Sequence, residues 1–80
     1  MIGILDLGMG NLRSLSNAIE HNGFDVQVTE TQTAFDDFTH LIIPGVGHFR
    51  AAMGAVFERQ LRPPIQAFAA SGRPVLGVCL

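Results

Sequence analysis

The sequence predicts an α/β fold in which a doubly wound, mostly parallel sheet lies between two layers of helices. Two apolar runs, Ile2–Leu7 and Leu41–Ile43, lack alternation, as strands of a parallel sheet do because both of their faces are buried. Segments with a helical apolar period follow these runs. Strands that alternate with helices pair in parallel through right-handed crossovers, so we expect residues 1–80 to lie in one three-layer domain.

The first half of the chain predicts a strand, a helix and an edge strand. The first strand, Ile2–Leu7, ends at a glycine turn. A helix follows over about Asn11–Asn22, with Asn11 as its N-cap and Gly23 as its stop. The next segment, Phe24–Thr29, alternates between apolar and polar residues, which is typical of a half-exposed strand at a sheet edge.

The second half predicts one more strand, two helices and a last strand. Phe35 and Phe38 are spaced for one short helical turn before the strand Thr39–Ile43. A helix begins near His48, breaks at Gln60–Arg62 and is followed by a helix that opens on Pro63-Pro64. The residues predicted to face inward are Phe49, Ala52, Met53, Val56 and Phe57 in the first of these helices, and Ile65, Phe68 and Ala69 in the second. Gly72 ends the second helix, and the last strand is Val75–Val78.

The composition bounds the possible functions. The chain has five arginines, no lysine and seven acidic residues, so its net charge is −2. No basic patch indicates binding to nucleic acid or to a membrane surface. No apolar run approaches the roughly 20 residues that span a bilayer, and the start lacks the basic region of a signal peptide. The single cysteine makes no internal disulfide, so we expect a cytoplasmic protein. The chain stops within its most apolar stretch, which predicts the front part of a longer protein.

Three predicted strand ends carry unusual residues. They are Gly8-Met9-Gly10-Asn11, Pro44-Gly45-Val46-Gly47 and Gly77-Val78-Cys79. Ligands of open α/β sheets bind at the carboxyl ends of the strands, so we expect these segments to converge on one edge.

Cys79 and the second glycine loop each leave two interpretations open. Cys79 is either a buried structural thiol or a nucleophile at a strand-to-helix turn, where the N-terminus of a following helix would lower the pKa of the thiol. Gly77 matches the first half of a nucleophile elbow. The loop Gly45–Gly47 is either a simple turn or an oxyanion hole, because glycines let backbone N–H groups face a substrate carbonyl.

The pattern Gly8-x-Gly10 after a first strand also suggests a nucleotide-binding module of the Rossmann type, with Glu30 near the ribose position. Arg13 stands where that fingerprint needs its third glycine, which weighs against this alternative. A further alternative is another cysteine-elbow α/β hydrolase, or a chaperone-like relative of the same layered fold. Asp6 is interpreted as a structural acceptor for the Gly8 turn rather than as a catalytic carboxylate. The histidines have no metal-ligand spacing, so we expect neither a metal nor a cofactor.

Three motifs carry a family resemblance. They are Asp6–Ser14 (DLGMGNLRS), Ile43–Phe49 (IPGVGHF) and Pro74–Leu80 (PVLGVCL). Together they resemble the class I, triad-type glutamine amidotransferases, and more narrowly the glutaminase subunits of imidazole glycerol phosphate synthase. The Pro-Gly-Val-Gly loop is the discriminating motif, since relatives in other pathways usually vary it.

The resemblance implies a mechanism and a partner. Cys79 would attack the side-chain amide of glutamine, and backbone N–H groups of the Gly45–Gly47 loop (Gly45, Val46, Gly47) and of Leu80 would hold the oxyanion. Ammonia would pass to a (β/α)₈-barrel cyclase, with which the chain would form a heterodimer. Met9, Gly10 and Asn11 would lie at the interface with this partner. The cyclase converts PRFAR into imidazole glycerol phosphate and AICAR in histidine biosynthesis.

The chain also departs from the family. Leu7 stands where an aromatic residue is common. The family's catalytic histidine and glutamate lie downstream of residue 80, and none of His21, His40 and His48 matches that base. Because loss of a triad member costs several orders of magnitude in rate, residues 1–80 alone are expected to show no glutaminase activity.

Overall fold

A computed structural model describes residues 1–8, 11–45 and 49–78 of the chain. The elements are β1 (Ile2–Leu5), α1 (Leu12–His21), β2 (Val26–Thr29), a 3₁₀ helix (Gln32–Asp37), β3 (His40–Pro44), α2 (Phe49–Glu58), α3 (Arg62–Ala70) and β4 (Val75–Val78). The four strands form one sheet in the order β2-β1-β3-β4, and every neighbouring pair is parallel. The predicted α/β class and the predicted edge position of β2 are confirmed.

The sheet is doubly wound because the chain leaves β1 in two directions. The connection from β1 to β2 moves toward one edge, whereas those from β2 to β3 and from β3 to β4 move toward the other. With right-handed crossovers, α1 therefore lies on one face, and the 3₁₀ helix, α2 and α3 lie on the opposite face. Among the described residues, no helix is long and apolar enough to cross a membrane.

The main core lies between the sheet and the face that carries three helices. Its buried members are Leu5, Leu7, Phe35, Phe38, Leu41, Val56, Leu61 and Phe68. The ring of Phe35 lies 6.1 Å from that of Phe38 and 6.0 Å, edge to face, from that of Phe68. The predicted helical turn that contains Phe35 is thus confirmed as the 3₁₀ helix, and Phe38 follows it directly as the C-cap residue.

The residues that were predicted to begin and end the helices lie at the helix ends in the structure. Asn11 Oδ1 accepts a hydrogen bond from the backbone N–H of Ser14 (3.1 Å), so Asn11 caps α1 as predicted. Gly23 follows α1 with a φ of +88°. The predicted break between α2 and α3 is real, and Gln60 takes a φ of +53° there. Pro63 and its neighbour occupy the first turn of α3, where a missing N–H costs nothing.

The prediction for the inward face of α2 is wrong in part. Val56 is buried, but Met53 is 40% exposed and Phe57 is 70% exposed. Helix α2 begins after the carboxyl end of β3, and Arg59 just beyond its end bonds Asp6 at the carboxyl end of β1. The helix therefore runs past the carboxyl ends of the strands, and only the side of the helix that carries Val56 reaches the core. The side chains of Phe49 and Ala52 lie outside the described part of the structure.

The inward face of α3 is mostly as predicted. Phe68 is buried and Ile65 packs against the core, but Ala69 is exposed. Ala69 lies next to the buried Phe68 in the last turn of the helix, and it is the ring of Phe68 that packs against Phe35 of the 3₁₀ helix. Gly72 follows α3 with a φ of +88°, so the predicted stop is confirmed.

Gly3 is required by close packing inside β1. A Cβ at Gly3 would lie 2.0 Å from Cδ2 of the buried Phe38 ring. We expect Gly3→Ala to lower the free energy of unfolding in urea by about 1–3 kcal/mol, because the ring has to leave its position. The matched control is Gly54→Ala in α2, where nothing lies within 4 Å and the helix gains about 1 kcal/mol in propensity. Equal unfolding midpoints for the two variants would contradict this packing.

Candidate active site

The strand ends that carry the predicted motifs are neighbours in the sheet. β1, β3 and β4 lie side by side, and the register pairs Pro44 at the end of β3 with Val78 at the end of β4. The sheet reverses its winding between β1 and β3, so the loops after these two strands flank the point where ligands bind in this architecture. The predicted convergence of the three strand ends on one edge is confirmed.

Gly45 ties the loop after β3 to the end of β4. Its backbone N–H donates a hydrogen bond to the carbonyl of Val78 (2.9 Å), and that carbonyl belongs to the peptide that joins Val78 to Cys79. Gly45 is buried and takes a φ of +83°. A side chain in this left-handed region costs about 1–2 kcal/mol, so glycine gives the chain its direction as it leaves β3.

The turn after β1 is built on Asp6. Its Oδ1 accepts a hydrogen bond from the N–H of Gly8 (2.8 Å), and its own N–H donates to the carbonyl of Thr29 (2.8 Å). Gly8 takes a φ of +82°. The interpretation of Asp6 as a structural acceptor for this turn is therefore confirmed.

Most of the other predicted site residues lie outside the described residues. They are Met9, Gly10, Val46, Gly47, Cys79 and Leu80. His48, at the predicted start of the second helix, also lies outside the described residues. Their roles stay predictions. Asn11 is described and exposed, and its side-chain oxygen is engaged in the cap of α1.

The described histidines lie away from the glycine loops. His21 is exposed in the last turn of α1, at the end opposite the Gly8 turn. His40 is exposed at the first residue of β3, and its Nδ1 lies 2.8 Å from Oγ1 of Thr39. Within the ranges that the structure describes, no group of three or more His, Cys, Asp or Glu side chains could hold a metal ion. The described chain thus offers no histidine base at this edge.

Sequence reasoning missed one residue at this edge. Arg59 follows α2, and its Nη1 donates a hydrogen bond to the carbonyl of Asp6 (2.6 Å). The two residues are 53 positions apart, and one arginine beside a helix break carries no signal for such a contact. Only the tertiary arrangement of α2 along the sheet edge brings them together.

The fold and the edge define a class of protein. A doubly wound parallel sheet with glycine loops at its switch point is the architecture of α/β proteins that bind small molecules at the carboxyl ends of their strands. Comparison with known sequences shows which proteins the chain is similar to.

Three relatives illustrate the comparison, and each is named imidazole glycerol phosphate synthase subunit HisH. The relative from Rhodopirellula baltica is 45% identical over 80 residues, the one from Lacticaseibacillus casei is 45% identical, and the one from Caldanaerobacter subterraneus is 40% identical. Each match covers 100% of this chain. By sequence, the whole of this chain is therefore similar to part of these HisH subunits.

The chain is much shorter than these relatives. It spans 38–39% of their length. No family model matches the chain.

Proposed function

We propose that the chain is the N-terminal part of a longer glutaminase, the glutamine-hydrolysing subunit of an imidazole glycerol phosphate synthase. The observation that carries this proposal is the hydrogen bond from Gly45 to Val78, which places the start of the Pro-Gly-Val-Gly loop beside the residue that precedes the only cysteine. A nucleophile and an oxyanion loop have to adjoin in this way for acyl transfer. The names of the relatives give the synthase, imidazole glycerol phosphate synthase, and the resemblance of the three motifs implies glutamine as the substrate.

In the proposed reaction, Cys79 is the nucleophile. Its thiolate sulfur forms a bond to the side-chain amide carbon of glutamine, and the carbonyl electrons move onto oxygen. When the oxyanion collapses, the C–N bond breaks, and the leaving nitrogen takes a proton and departs as ammonia. Water then hydrolyses the glutamyl thioester, which gives glutamate and restores the thiol. The histidine and glutamate that manage these protons in the family lie beyond residue 80.

The Pro-Gly-Val-Gly loop stabilises the oxyanion in this proposal. Gly45 was expected to be one of the oxyanion donors, but its N–H donates to the carbonyl of Val78, so this expectation is revised and Gly45 instead fixes the direction of the loop against β4. We assign the donors for the oxyanion to the backbone N–H groups of Val46, Gly47 and Leu80. Donors that are fixed before reaction contribute most, because they need no reorganisation in the transition state.

The partner in this proposal is a (β/α)₈-barrel cyclase, and the two subunits form a heterodimer in the cytoplasm. Met9, Gly10 and Asn11 follow the turn built on Asp6 and meet the cyclase. Ammonia passes through the barrel to the cyclase site, where PRFAR is converted into imidazole glycerol phosphate and AICAR.

An assay of the full-length protein with its cyclase partner tests the function. We expect glutamate and ammonia to appear in equal amounts from glutamine, and imidazole glycerol phosphate to appear when PRFAR is present. Equilibrium dialysis with NAD and ATP tests the alternative of a nucleotide-binding module. Binding of either nucleotide without any hydrolysis of glutamine would refute the proposed function.

A further inference from the structure

The C-terminal end of α1 places an asparagine directly before a glycine. Asn22 is the C-cap residue of α1, Gly23 follows it, and both are exposed. Such a pair has its own chemistry, because glycine has no Cβ that would hinder the approach of its backbone nitrogen to the side-chain amide of the asparagine. The other two asparagines of the chain, Asn11 and Asn17, precede a leucine and an alanine. Asn22 is therefore the least hindered of the three.

Two hydrogen bonds hold the pair in the folded chain. Nδ2 of Asn22 donates to the carbonyl of Ala18 (2.7 Å), and the N–H of Gly23 donates to the carbonyl of Glu20 (2.9 Å). Gly23 has a φ of +88°, which is the left-handed conformation that ends many helices. Both nitrogens that a reaction within the pair would involve are thus bound to the last turn of α1.

The backbone torsions of Asn22 also keep the reacting atoms apart. Its ψ is 8°, so the nitrogen of Gly23 eclipses the nitrogen of Asn22 and does not lie beside its Cβ. A five-membered ring closes only when the nitrogen of Gly23 lies on the Cβ side, within reach of Cγ. The peptide has to rotate for this, and the rotation breaks the hydrogen bond to Glu20. Local opening at a helix end costs less free energy than unfolding of the whole protein.

We propose that Asn22 is a site of spontaneous covalent modification, at which the side-chain amide becomes a carboxylate when the last turn of α1 opens. The backbone nitrogen of Gly23 loses its proton and forms a bond to Cγ of Asn22. The bond between Cγ and Nδ2 breaks, and Nδ2 takes up a proton and leaves as ammonia. Water then opens the succinimide ring at either carbonyl, which gives aspartate or isoaspartate. The inference is independent of the proposed function, because the reaction needs only this pair and water.

The product does not replace the amide as a cap of the helix. A carboxylate has no proton to donate to the carbonyl of Ala18, and its negative charge lies at the C-terminal end of α1, where the helix dipole is also negative. Isoaspartate in addition lengthens the backbone by one methylene group just before Gly23. The modification therefore weakens the end of α1 and the turn that leads into β2.

The test follows the three asparagines by peptide mass spectrometry while the full-length protein is incubated at neutral pH. We expect the mass gain for replacement of NH₂ by OH to appear at Asn22 and not at Asn11 or Asn17. In urea-unfolded protein, the rate at Asn22 is expected to rise about tenfold or more, and a tenfold difference corresponds to an opening free energy of about 1.4 kcal/mol. Gly23→Ala in urea is expected to react several-fold more slowly, because the added Cβ hinders the attacking nitrogen.

A pair of aspartate variants tests the effect on the helix. Asn22→Asp reproduces one product, and Asn17→Asp adds the same charge at an exposed position inside α1 without removing the cap. We expect the urea midpoint of Asn22→Asp to be the lower of the two. Equal rates at Asn22 in folded and unfolded protein, no mass gain at Asn22 in folded protein, an equal gain at Asn17, or an unchanged rate in Gly23→Ala would overturn the inference. Equal midpoints of the two aspartate variants would contradict the effect on the cap.

Discussion

Cys79→Ala in the full-length protein is expected to lower the rate of glutamine hydrolysis by about 10⁴-fold or more. The reason is that the proposed reaction passes through a covalent bond to the sulfur of Cys79, which alanine lacks. Loss of a catalytic nucleophile from a triad typically costs this much or more in kcat. The measurement is the release of glutamate and ammonia with saturating cyclase partner.

The control for this variant uses ammonium salt as the nitrogen source. Ammonia supplied directly bypasses the glutaminase site, so Cys79→Ala is expected to support formation of imidazole glycerol phosphate from PRFAR at the wild-type rate. Hydrolysis of glutamine by Cys79→Ala within tenfold of the wild type would remove Cys79 from the mechanism. Cys79 would then be the buried structural thiol of the alternative interpretation.

Gly45→Ala is expected to lower kcat for glutamine hydrolysis by about 10²-fold. Gly45 is not itself assigned as an oxyanion donor, but a new direction of the loop is expected to misplace the proposed donors Val46 and Gly47, and the loss of one such donor costs about 10²–10³-fold in other acyl-transfer enzymes. Alanine at a φ of +83° is strained, so the chain should leave β3 in another direction. We expect the hydrogen bond from Gly45 to Val78 to be lost with this change of direction. The same assay with saturating cyclase measures this loss.

Gly23 provides a matched control for that strain. It takes a φ of +88°, and nothing lies within 4 Å of a Cβ placed there. We expect Gly23→Ala and Gly45→Ala to lose similar stability, about 1–2 kcal/mol, and only Gly45→Ala to lose activity. Equal activity of the two variants would show that the conformation of Gly45 has no bearing on catalysis.

The order and the type of the helices and strands could be predicted from the sequence, because a local signal marks where each of them begins or ends. Asn11 and Gly23 bound the first helix, and the paired prolines open the last one. Apolar runs without alternation marked the strands, and parallel pairing followed from topology rules alone. Parallel pairing also made it predictable that the strand ends with the glycine motifs lie side by side at the carboxyl edge of the sheet.

Contacts between distant residues were not predictable from one sequence. Nη1 of Arg73 donates hydrogen bonds to the carbonyls of Phe35 and Phe38, each at 3.0 Å, and its guanidinium lies 4.0 Å from the ring centroid of Phe68. Such a contact depends on how α3 and the 3₁₀ helix pack together. The exposure of Phe57 likewise depends on where α2 lies relative to the sheet, which periodicity does not encode.

The most direct measurement of the central claim is detection of the covalent intermediate. The full-length protein, its cyclase partner and glutamine would be mixed and quenched in acid during steady-state turnover, and the peptide that contains Cys79 would be analysed by mass spectrometry. We expect this peptide to carry the added mass of one glutamyl group, and Cys79→Ala to carry none. Active turnover with the glutamyl group on a different residue would contradict the assignment of Cys79 as the nucleophile at this edge of the sheet.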